Sequence, residues 1–184
     1  MNAHAAPLDP CRDPRHHAVT GASPWIERWS HLVAPGATVL DVACGSGRHV
    51  RWFVSHLAKV TGVDRDADAV ASLRSVARIE VADIENGPWP FVGETFDAVI
   101  VTNYLWRPLL PTIVASIAPR GLLLYETFGQ RQPEFGSPKR PDFLLRPREL
   151  LEVAEGLHVL AYEDLVLDDP PRHVQRIAAL SGER

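Results

Sequence analysis

Three aspartates of this chain each stand where a short apolar run gives way to a loop: Asp41 in Val39-Leu40-Asp41-Val42, Asp64 in Val63-Asp64, and Asp83 in Ala82-Asp83-Ile84. The first is followed by the small-residue stretch Ala43-Cys44-Gly45-Ser46-Gly47. A strand that runs through a glycine loop into a helix lets backbone amides approach an anionic or nucleotide ligand, because glycine removes side-chain bulk and the helix dipole points there. A dinucleotide fingerprint, G-x-G-x-x-G/A, fails here, since its register Gly45, Gly47, Val50 lacks the third small residue. Asp41 adds a discriminator: a carboxylate before the loop disfavours a pyrophosphate and suits a ligand that carries an ammonium group. Taken singly, each aspartate reads as a turn or cap residue. Their joint placement at three successive strand ends reads as a site. Cys44, a lone thiol with no accompanying base motif, reads as a small packing residue rather than a nucleophile. The histidines lack metal-ligand spacing and read as solvated or capping, so no metal site is expected.

The string VLDVACGSGRH, Val39 to His49, resembles the first motif of class I S-adenosylmethionine (SAM) dependent methyltransferases, with Ala43 where many members carry the first glycine. The resemblance continues in order. Asp64 falls where the family places an acid on the ribose hydroxyls, and Asp83 with Ile84 falls where it reads the adenine. The stretches FDAVIVTNYLW and IAPRGLLLYETF resemble its fourth- and fifth-strand segments. The resemblance therefore implies SAM as cofactor, held by Asp41, Ala43, Cys44, Gly45, Gly47, Asp64, Arg65, Asp83, Ile84 and Asn103. Methyl transfer from a sulfonium needs mainly alignment and exclusion of water, so no obligatory catalytic residue is implied. The acceptor is expected over the fourth and fifth strand ends, against Tyr104, Trp106, Arg107, Tyr125 and Phe128.

The elements that must position these residues alternate. Strands are predicted at about 38–42, 59–64, 78–82, 96–102 and 121–127, with helices at about 24–34, 47–58, 66–75 and 107–117. A helix at about 147–155 and two final strands at about 157–164 and 173–180 close the chain as an antiparallel hairpin. The expectation is an α/β fold, a doubly wound, seven-stranded, mostly parallel sheet with a C-terminal antiparallel hairpin, the Rossmann-like methyltransferase fold. Residues 1–22 read as a flexible segment and 23–184 as one domain. A rim insertion at about 129–147, rich in proline and arginine, is longer than typical connections and reads as a loop or a lid.

Composition narrows the class. In 184 residues, 46% hydrophobic and 23% charged, a net charge of −4 without a Lys/Arg-rich block argues against a dedicated nucleic-acid or membrane-surface protein. No signal peptide or spanning stretch is visible, and two cysteines suit a reducing cytosol, so a cytoplasmic location is expected. Asn103-Tyr104-Leu105-Trp106 lacks the prolines of amide- and DNA-methylating members, and the Thr102-Asn103 strand end lacks the carboxylates of magnesium-dependent ones. The chain thus looks most like the small-molecule branch, nearest in layout to tellurite-resistance and thiopurine methyltransferases. An RNA or protein methyltransferase and a non-catalytic SAM-binding protein are the alternatives.

Overall fold

The computed structural model describes residues 21–182. Seven strands, β1 Thr38–Val42, β2 Lys59–Asp64, β3 Arg78–Val81, β4 Phe96–Thr102, β5 Ile117–Phe128, β6 Leu157–Asp168 and β7 Pro171–Ser181, form one sheet of order β3-β2-β1-β4-β5-β7-β6. The strands β1 to β5 pair in parallel, and β7 inserts antiparallel between β5 and β6. This is the expected doubly wound sheet with its closing hairpin. The strand order reverses between β1 and β4, which opens the crevice at their carboxyl ends where open α/β sheets bind ligands.

The central strands are apolar on both faces because helices cover both. On one face Leu40, Val42, Val99, Val101, Leu123 and Tyr125 pack with Ile113 of α4 (Leu110–Ala115) and Leu150 of α5 (Glu149–Val153). On the other, Val39, Ala98, Ile100, Leu122 and Leu124 meet Trp25 and Ile26 of α1 (Pro24–Trp29) and Val50 and Phe53 of α2 (Arg48–Ser55). The first helix starts as its sequence requires: Pro24 occupies the first turn, and the Ser23 side chain caps the Trp25 amide.

Several helices are shorter than their apolar periodicity suggests. The stretch expected to be helical over about 24–34 is α-helical only to Trp29 and continues as a 3₁₀ turn. The one expected over 66–75 divides into α3 (Ala67–Val70) and a 3₁₀ turn. Over 107–117, a 3₁₀ turn at Arg107–Leu109 precedes α4, since Pro108 and Pro111 each remove an amide from the ladder. The last three strands are longer than expected, because β6 and β7 pair along their whole length up to the turn at Asp169-Pro170.

The expected flexible segment falls mostly on residues outside those described; within it, Ala22 is buried. The rim segment folds back on itself. The Gly129 amide donates to the His173 carbonyl at 2.9 Å and the Leu145 amide to Phe128 at 2.9 Å, so the two ends of the insertion lie side by side. No helix among the described residues is long and apolar enough to cross a membrane.

Candidate active site

Asp41 lies on β1, two residues from the start of the glycine loop, and is 1% exposed. Its Oδ2 has no hydrogen-bond partner among the described residues. Desolvation pushes its pKa up to about 7, against the pull of Arg48, and the Asp64 charge adds to the rise. A buried carboxylate that accepts from the Val50 amide and keeps its other oxygen unpartnered beside an amide-rich loop fits a cationic ligand group.

The loop itself is held open. Ala43, Gly45 and Gly47 all have positive φ, and a Cβ built on Gly45 would meet nothing within 4 Å. The Asp64 Oδ2 accepts from the Gly45 amide at 2.7 Å and its Oδ1 from the Asp66 amide at 2.9 Å. Gly47 serves packing instead, because a Cβ there would lie 2.4 Å from the Leu73 side chain. Cys44 is buried in this loop, and burial pushes its thiol pKa up, away from the reactive thiolate.

Asp83 follows β3 and is engaged in its own turn. It accepts from the amides of Glu85 and Asn86 at 3.0 and 3.1 Å and from the Asn86 side chain at 2.9 Å, contacts that lower its pKa. Ile84 beside it is buried in the core, while Asn103, at φ +54°, turns the chain away from β4. Arg65, next to Asp64, lies within electrostatic reach of Asp83 and Tyr104. The residues assigned to the cofactor thus gather at the carboxyl ends of β1, β2, β3 and β4.

The residues assigned to the acceptor do not form one wall. Tyr104 has a buried hydroxyl without a partner among the described residues, and the charges that act on it are Glu85, Asp83, Arg65 and Asp64. It therefore stands on the Asp64 and Asp83 side of the crevice. Tyr125 is fully buried and donates to the Tyr104 carbonyl at 2.9 Å. Strand alternation puts Phe128 on the opposite face from Tyr125, packed with Leu144 and Val174. Trp106 packs half-buried against the Tyr125 side of the core. Arg107 ties down the rim: its guanidinium donates to Glu149 at 2.7 and 2.9 Å and to the carbonyls of Asp142 and Leu144.

A polar row under α1 was not assigned from the sequence. Thr102, Glu126, Arg176 and Glu163 are cross-strand partners on β4, β5, β7 and β6. The Arg176 guanidinium lies between Glu163 at 2.6 Å and Glu126 at 3.5 Å, with the Trp25 ring 4.9 Å away. The Ser23 hydroxyl donates to Glu126 at 2.9 Å, and the Ser23 amide donates to His49 Nε2 at 3.1 Å. His49 is 2% exposed, and burial together with Arg48 lowers its pKa to about 3, so it is neutral. A sequence signal existed: His49, Val50 and Phe53 form one buried helical stripe, and Glu126 continues the inward series Leu122, Leu124. Among the described residues, no cluster of three metal-ligating side chains occurs.

Residues 39–120 match a family model described as a methyltransferase domain. These residues, a little under half of the chain, resemble a class I SAM-dependent methyltransferase domain. The domain is 38% identical over 92 residues to the ribosomal protein L11 methyltransferase of Burkholderia thailandensis, covering 46% of this chain and 28% of that protein. The chain therefore spans well under half the length of that curated relative. In structure the methyltransferase fold is similar to TehB from Haemophilus influenzae, with a TM-score of 0.71 and 19% identity, over 90% of this chain and 64% of the other. It is also similar to a TehB-like SAM-dependent methyltransferase from Corynebacterium glutamicum, with a TM-score of 0.62 and 19% identity, over 87% of each.

Proposed function

We propose that the chain transfers a methyl group from SAM to a small-molecule acceptor, on one observation above all: Asp41, with its unpartnered buried oxygen, beside the open Gly45 loop at the switch point of the sheet. In this reading Asp41 takes the ammonium of the cosubstrate's amino-acid end. Asp64 keeps the loop in shape through Gly45 and offers its remaining lone pairs to ribose hydroxyls. Asp83 and Ile84 flank the adenine, and Tyr104 covers the adenosine half from the β4 side. When bound, SAM supplies an electrophilic methyl group, and the protein's part is to align an acceptor with it and exclude water. The methyltransferase likenesses support the cosubstrate, and the missing prolines of Asn103-Tyr104-Leu105-Trp106 support a small-molecule acceptor.

The likeness to L11 methyltransferases supports a second reading, a protein acceptor, which the same assay separates. Calorimetry should give micromolar SAM and S-adenosylhomocysteine binding and no comparable NAD binding. Radiolabelled SAM should then label members of a panel of thiols, phenols, amines and metalloid oxyanions. Tight NAD binding without a SAM signal overturns the cofactor reading. Label on ribosomal protein or RNA, with none on the panel, overturns the acceptor class.

A further inference from the structure

The His49 ring is read by two neighbours of fixed or inferable polarity. The Ser23 amide can only donate, so Nε2, 3.1 Å away, accepts. In a neutral imidazole the proton then sits on Nδ1, which faces the Thr102 hydroxyl oxygen at 3.3 Å. His49 therefore donates to Thr102, and the single hydroxyl proton of Thr102 remains for another acceptor. Among the described residues Thr102 Oγ1 has no second hydrogen bond.

Thr102 is only partly buried, at the carboxyl end of β4 and on the same sheet face as Asp41 and Glu126. Asp41 pairs with Ile100 in the parallel ladder, so Thr102 lies one strand across and two residues further along, on the order of 8 Å away by sheet geometry. Measured between backbones, that separation leaves the two side chains on one face within reach of the two ends of an α-amino-acid zwitterion. Arg48 acts electrostatically on Asp41 and Glu126 without a hydrogen bond or ion pair to either among the described residues.

We propose that His49 is a positioning residue: fixed as the Nδ1–H tautomer by the Ser23 amide, it turns the Thr102 hydroxyl proton outward, to the carboxylate of the cosubstrate whose ammonium Asp41 holds. Because the Ser23 amide opens α1, the docking of that helix sets the direction of the hydroxyl. The inference rests on the crevice being the SAM site.

Two measurements test it. Long-range ¹H–¹⁵N correlation on the histidine-labelled full chain should show His49 as the neutral Nδ1–H tautomer, unchanged between pH 5 and 8. The Nε2–H tautomer, or titration within that range, overturns the proposal whatever the variants do. Calorimetry with S-adenosylhomocysteine and with 5′-methylthioadenosine, which lacks the amino-acid end, locates the contact. Thr102→Val should weaken the first about ten- to a hundredfold and leave the second within twofold. His49→Phe should discriminate in the same sense by several-fold, and His49→Asn, which keeps a donor toward Thr102, should recover most of the loss. Equal affinity of parent and Thr102→Val for S-adenosylhomocysteine, or an equal loss for both ligands, overturns the proposal. Failure of the parent to bind either ligand instead removes the SAM reading itself.

Discussion

The carboxylate of Asp64 and the amide of Gly45 meet at 2.7 Å, so the end of β2 fixes the loop that leaves β1. This contact gives Asp64 a role in shaping the loop, beside the ribose contact proposed for it. Asp64→Ala should weaken S-adenosylhomocysteine by about 1.5 to 3 kcal/mol, the range for losing hydrogen bonds to a charged group. Asp83→Ala should cost less, because Asp83 is spent on its own turn with Glu85 and Asn86. Calorimetric affinities in the reverse order would show that the adenine end, not the loop, carries the binding.

Asp41 should impose a pH dependence. The proposed ammonium contact requires the carboxylate charged, so affinity for S-adenosylhomocysteine should fall about tenfold per pH unit below about 7 and level off above it. Stability runs the other way. The folded state holds the Asp41 proton up to about pH 7 while the unfolded chain releases it near 3.8, so stability falls as pH rises between those values. At pH 8 the ligand-free Asp41→Asn variant should be more stable than the parent by roughly 2 to 4 kcal/mol, while losing ligand affinity. Thermal melts at pH 5 and 8 check this; a variant destabilised at pH 8 sinks the account of an unpartnered charge.

The two loop glycines should respond differently to alanine. At Gly47 a Cβ meets Leu73 at 2.4 Å and φ is +79°, so Gly47→Ala should destabilise the fold by about 2 kcal/mol or more. At Gly45 the Cβ has space and φ is +52°, so Gly45→Ala should cost only about 1 kcal/mol of stability, and Gly45→Arg should abolish binding by filling the space. Circular dichroism melts beside calorimetry separate the two effects.

Arg107 and Glu149 hold the rim. Arg107→Ala leaves the buried Glu149 carboxylate with the Arg146 contacts alone and should cost about 2 to 3 kcal/mol. Cleavage by trypsin between residues 131 and 148 should accelerate in that variant. Replacing residues 130–144 with a short Gly/Ser linker should leave S-adenosylhomocysteine affinity within about threefold while turnover of an accepted small molecule collapses, since positioning and water exclusion carry the rate.

The sheet was legible because its signals are local. Val39 to Asp41 and Phe96 to Thr102 are apolar runs too short for helices, and the Gly45 loop marks where the first one ends. The acceptor wall was less legible. Strand alternation separates Tyr125 from Phe128, and the neighbours of Tyr104 come from Asp64 and Asp83, far away in sequence. The Ser23, His49 and Glu126 contacts span 26 and 103 residues, and no periodicity in the chain encodes a pairing of that kind. Arg107 read as a binding residue because an arginine at a strand end looks free until its partner Glu149 is placed.

The strand order also governs how the molecule assembles. β7 comes last among the described strands, yet it lies between β5 and β6, pairing with β6 along nearly its whole length and with β5 over Leu122 to Phe128. Until residues 171–181 arrive, β5 presents an unpaired apolar edge over Leu122, Leu123 and Leu124, a template for association with other chains. Arg176 then enters between Glu126 and Glu163 in the same step that covers this edge. Chains halted before β7 should therefore aggregate rather than wait as stable intermediates, and productive folding becomes a race between hairpin docking and self-association.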